Sequence, residues 1–82
     1  MLKNELIVSI KELEKRTMNL EGSFMNQVNT PYRSYDNEYS KFLNNIGAIT
    51  RLGHKTRLTQ LKKGQLELMY EKLQELSTKY NF

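Results

Sequence analysis

Apolar residues recur at helical spacing in three stretches of this chain. Leu6, Ile10, Leu13, Thr17, Leu20 and Phe24 are spaced 4, 3, 4, 3, 4, which sets them on one stripe of a helix. Leu2, Ile7 and Met18 widen that stripe, and Lys11, Glu12, Glu14, Lys15 and Arg16 fill the opposite face. A helix over residues 3–25 is predicted. Residues 26–35 are polar and hold the single proline, Pro31, which drives Thr30 from helical angles and removes a backbone donor. A loop is expected there. Tyr35, Tyr39, Phe42, Ile46 and Ile49, spaced 4, 3, 4, 3 and joined by Leu43, predict a second helix over 36–52. Ser34 or Asp36 is its expected cap and Gly53 its expected stop. Leu66, Met69, Leu73, Leu76 and Tyr80 follow at 3, 4, 3, 4, with Leu58, Leu61 and Gln65 extending the stripe backwards. They predict a third helix over 57–80. Gly64 interrupts it at a cost of about 1 kcal/mol relative to Ala, and a split into a turn at 57–63 and a helix at 65–80 is the alternative.

Three amphipathic stripes without strand-like alternation define an all-α protein, a single small domain over residues 1–82. A helical hairpin or a three-helix bundle accommodates them. The same 3/4 spacing suits coiled-coil pairing within or between chains. A chain of 82 residues has a small core, burying only about 60–65% of its extended surface. It contains no cysteine, so neither a disulfide nor a thiolate metal site adds to that core. A partner, either a second copy or another protein, is the remaining supplement. No apolar run approaches the roughly 20 residues that span a bilayer, and Leu6-Ile7-Val8 is too short for a signal-peptide core. A soluble, cytoplasmic protein with no membrane partner is expected.

Charge sharpens the picture. From Tyr39 to Leu66 there is no Asp or Glu, while Lys41, Arg51, Lys55, Arg57, Lys62 and Lys63 fall in that stretch. The segments on either side each carry one more acid than base, so the whole net charge of +4 arises in the middle third. A localised basic segment on a small domain faces something anionic. The Lys-, Asn- and Tyr-rich composition uses A/T-rich codons and suits a phage or plasmid genome, with a virion as the alternative location.

Candidate chemistry is sparse. Gly53-His54-Lys55-Thr56 resembles the end of a phosphate-binding loop. That motif needs Gly, four residues and then Gly-Lys-Ser/Thr, and His54 separates Gly53 from Lys55 here, so an inter-helix turn is the reading. Gly53-x-Lys55-x-x-Leu58 resembles the second half of a SAP-type DNA-binding helix pair, with the order of the next basic and aliphatic positions reversed at Leu61 and Lys62. A turn from Gly53 to Thr56 followed by a polar-faced helix over 57–63 also has helix-turn-helix proportions. His54 is the only histidine. With no cysteines it builds no zinc site, and no nucleophile, base and orienting group are visible. No catalysis, cofactor, metal or small-molecule substrate is expected. Glu67, Glu71 and Glu75, four apart, form an acidic ridge, read as a solvated face.

The leading functional expectation is a non-catalytic nucleic-acid-associated protein. Arg51, His54, Lys55, Arg57, Lys62 and Lys63 would hold the phosphate backbone, and charge reversal at Lys55 and Arg57 would abolish binding with helicity intact. The alternative is a protein–protein module, a phage-type adaptor, inhibitor or assembly component. It would dock through Tyr32, Tyr35, Leu66, Met69, Leu73, Leu76 and Tyr80 onto a protein partner or a second copy.

Overall fold

The computed structural model describes residues 1–22 and 30–82. The chain forms three α-helices: α1 (Lys3–Arg16), α2 (Pro31–Asn45) and α3 (Lys63–Tyr80), with single 3-10 turns at Thr17–Asn19 and Leu58–Gln60. Among the described residues there is no strand; one isolated antiparallel bridge pairs Ile49 with Lys55. No helix among them is long and apolar enough to cross a membrane. Both α1 and α2 pack on α3. Gln65 of α3 meets Ile46 beyond the end of α2, while Lys79 of α3 meets Glu38 nearer the start of α2, so α2 and α3 run in opposite directions.

α1 is shorter than the apolar stripe implies. Glu5 in its first turn and Lys15 and Arg16 in its last suit the helix dipole. The Thr17 hydroxyl then donates to the Glu14 carbonyl at 2.6 Å, the chain tightens into the 3-10 turn, and Leu20 leaves with an extended backbone. Thr17 and Leu20 stay buried, so the stripe continues although the α-helix has ended at Arg16. Residues 23–25 of the predicted helix and 26–29 of the predicted loop lie outside the described residues.

α2 begins within the segment expected to be loop. Thr30 is extended, its side chain accepts from the Arg33 backbone N–H, and Pro31 takes the first helical position. A proline there loses no intrahelical bond and brings a preset φ. Thr30, not Ser34 or Asp36, is the cap. The helix also stops early, at Asn45 and not near residue 52. Gly47 adopts a left-handed φ of 75°. The Gly47 N–H donates to Asn44 O at 3.3 Å and the Ala48 N–H to Leu43 O at 2.8 Å, the paired closure of a Schellman end. Ala48 and Leu43 are both buried beside it.

α3 starts at Lys63, so residues 57–62 are not helix continuous with it, and it runs through Gly64 unbroken. Gln65 fixes this start twice. Its Oε1 accepts from the Lys62 backbone N–H at 2.9 Å, and its Nε2 donates to the Ile46 carbonyl at 2.9 Å. At the far end Asn81 turns left-handed, and Phe82 sets its ring edge-on to Tyr35 at 5.3 Å. Tyr35 also stacks on Tyr39 at 5.7 Å.

The core consists of Leu6, Ile7 and Ile10 from α1, Tyr35, Tyr39 and Leu43 from α2, and Leu66, Met69, Leu73 and Leu76 from α3, with Leu20, Ala48 and Leu61 from the connections. This corrects the expected docking surface. Leu66, Leu73 and Leu76 are 0% exposed, Met69 2% and Tyr35 3%, so the chain's own core occupies them. Tyr32 and Tyr80 are half-buried.

Candidate nucleic-acid interface

The connection between α2 and α3, residues 46–62, holds the basic residues, and its local structure follows from its glycines and threonines. After Gly47 closes α2, the chain folds back on itself. The Thr56 N–H donates to Ala48 O at 2.9 Å, and Ile49 bridges Lys55. The Thr50 N–H donates to His54 O at 2.7 Å and the Gly53 N–H to Thr50 O at 2.9 Å, while Thr50 Oγ1 accepts from the His54 N–H at 3.2 Å. The loop residues are therefore Arg51, Leu52 and Gly53. Gly53, at a φ of 80°, takes the left-handed place that three-residue hairpin loops reserve for glycine. The segment expected to be a turn between helices is a small closed hairpin over 48–56, followed by a 3-10 turn. The helix-turn-helix and SAP-type helix-pair expectations fail here, because residues 57–62 do not begin the next α-helix and no three- to four-residue turn joins two helices.

The basic residues along this connection differ in status. Arg51, His54, Arg57, Lys62 and Lys63 are exposed, and among the described residues none of them forms an ion pair. Lys55 differs. Its Nζ lies 3.5 Å from Glu14 of α1 and 5.3 Å from the centroid of the Tyr39 ring, so it fastens the hairpin to α1 and α2. Beneath this fastening is a cavity of about 180 Å³ lined by Glu14, Lys55, Arg57, Leu58 and Met69, among others. Tyr39 Oη is buried without a hydrogen-bond partner among the described residues. Burial first, then the negative charge of Glu14, pushes the Tyr39 phenol well above its ordinary range. Glu14 is the acid that reaches the hairpin, and Lys55 already holds it. Lys3 adds a further tether from α1, donating to the Thr59 carbonyl at 3.1 Å.

Lys62 and Lys63 occupy the N-cap and first position of α3, with no acid in its first turn. Helix starts favour anions there, and the dipole disfavours cations. The exposed Gly64 follows, and a Cβ built on it meets nothing within 4 Å among the described residues. Cations and open backbone thus coincide at the point where the connection rejoins the helices.

The remaining candidates lie elsewhere. Glu67, Glu71 and Glu75 are all exposed along α3, and Glu75 lies 3.4 Å from Lys72. Glu38 receives Lys79 at 3.0 Å and the Tyr80 hydroxyl. These contacts, Tyr80 first, hold the Glu38 carboxyl below its usual range. Among the described residues no three His, Asp or Glu side chains converge as metal ligands would.

Two features were missed in the sequence: the Gly47 helix stop and the Leu52 hairpin tip. The first had a signal, a glycine followed by a small apolar residue. The second had a Thr-x-x-Gly pattern that the continuing stripe to Ile49 masked. Compared with protein families, with curated proteins and with solved structures, the chain finds no match.

Proposed function

We propose that this chain is a small, non-catalytic helical-bundle protein that binds nucleic acid, gripping the phosphate backbone with the α2–α3 connection and the start of α3. The supporting observation is that four exposed cations, Arg51, Arg57, Lys62 and Lys63, with the exposed imidazole of His54 among them, lie along one acid-free connection and the start of α3 without ion pairs among the described residues. Surface cations on folded proteins usually have acids interspersed, and a run left unpaired exerts an outward field that draws polyanions. Lysines at the start of α3 strengthen the reading, since a helix gains from acids there. Local rules of this kind are broken mainly where function requires it.

Duplex suits the interface better than single strand. Single-strand binding depends on exposed aromatic rings that stack on bases, and the connection carries no Phe, Tyr or Trp; Tyr35 and Tyr39 are inside the core. The test is a variant carrying Arg51→Ala, Arg57→Ala, Lys62→Ala and Lys63→Ala, which spares the Lys55–Glu14 contact. Its melting temperature should match the parent while duplex binding is lost. Retained binding overturns the proposal.

A second reading, docking to a protein or a second copy, draws on Met1, Leu2 and Val8, exposed at 59%, 70% and 57% around the start of α1. Concentration-dependent mass that falls on Val8→Asp would favour it.

A further inference from the structure

Leu52 is the most exposed of the large apolar side chains described, at 83%. It is not at a chain end, and it sits in the tightest piece of the connection. The Thr50–His54 pair, the Gly53 N–H to Thr50 O bond and the Thr50 hydroxyl all close the loop beneath it. Arg51 precedes it, and His54 follows one residue beyond Gly53. The fold therefore holds one branched apolar group outward on a braced hairpin, with the Arg51 guanidinium on one side and the His54 imidazole on the other.

We infer that Leu52 is a wedge that enters between two base pairs from the minor groove of a duplex and kinks it, while Arg51 and His54 take the phosphates beside the opened step. This rests on the nucleic-acid reading above and specifies the mode of binding. Apolar side chains inserted at single steps are how minor-groove proteins unstack and bend DNA, with flanking cations neutralising the closing phosphates. The shape is suitable: a two-stranded tip is narrow, and Leu52 can leave water without any rearrangement of the hairpin. A membrane surface fits less well. One leucine buries too little apolar area for stable anchoring, when even a whole myristoyl chain gives marginal binding. A kinked duplex needs only one inserted side chain per step. Because pyrimidine–purine steps unstack most easily, duplexes with a central TA or CA step should be preferred over A-tracts.

The experiment measures bending and affinity together, using a short duplex with donor and acceptor dyes at its ends and the intact protein. The parent should raise energy transfer on binding. Leu52→Ala should bind with the same salt slope, weakened about tenfold by the lost burial, and leave transfer near that of free duplex. Leu52→Phe should restore bending. Since Leu52 touches little of the fold, the melting temperature should be the same in all three. Binding and bending unchanged in Leu52→Ala overturns the wedge and leaves the phosphate-binding proposal standing. A parent that binds no duplex overturns both. Vesicles of mixed phosphatidylcholine and phosphatidylserine serve as the control. Co-sedimentation lost on Leu52→Ala, with duplex bending unaffected, assigns the tip to lipid and overturns the inference.

Discussion

Lys62 and Lys63 stand where an acid would stabilise α3, and that conflict separates stability from binding. Replacing the N-cap lysine by Asp gives the helix a side-chain acceptor, worth about 1 kcal/mol, and Lys63→Glu adds a favourable dipole term of about 0.5 kcal/mol. The double variant should melt higher than the parent and bind duplex more weakly. Calorimetry and a binding titration on the same sample check both halves. Glu38 sets a second residue-scale expectation. The Tyr80 hydroxyl and Lys79 ammonium lower its folded pKa, so its contribution is present at neutral pH. That contribution disappears as pH falls through the folded value. Thermal melts of the parent should lose stability on acidification more steeply than those of Glu38→Gln.

The hairpin at 48–56 is the element on which the binding account depends. A Cβ built on Gly53 meets nothing within 4 Å among the described residues, so Gly53→Ala acts only through its left-handed backbone, a penalty of about 1 kcal/mol. Amide exchange at Thr50 and Gly53 should accelerate in that variant while α3 amides keep their protection. Element type was largely legible in the sequence. The 3/4 spacing found the buried faces of all three helices, since Leu6, Ile10, Tyr35, Tyr39, Leu66, Leu73 and Leu76 line the core. Boundaries were not legible, because burial continues past a helix end when the departing chain still packs. Leu20 remains in the core in extended backbone, and Ile49 packs against it from the hairpin, so each stripe overran its helix. Pro31 reads equally as a breaker or as a first helical residue, and the Thr30 cap decides between them. At the interface the basic composition was legible, but the pairing of Lys55 with Glu14 was not, because it depends on tertiary placement.

The whole molecule is closed by tyrosines. Burial raises the phenol of Tyr35, and of Tyr39 more, above the ordinary value of 10.0. A raised folded pKa contributes stability that is intact below that value and is lost as pH rises above it. Alkaline unfolding should follow, with helical dichroism falling as phenolate absorbance rises in one transition. Tyr39→Phe removes a buried hydroxyl that has no partner among the described residues, whose desolvation costs about 1 kcal/mol or more. That variant should be at least as stable at neutral pH, with its alkaline transition moved upward. Duplex affinity measured across a salt series reports directly on the cations left without ion pairs among the described residues. Each phosphate neutralised contributes about −0.9 to the slope of log K against log salt. A linear slope of several units is expected, shrinking by about 0.9 for each cation removed among Arg51, Arg57, Lys62 and Lys63. A flat salt dependence, or a steep one unaltered by these substitutions, would contradict it.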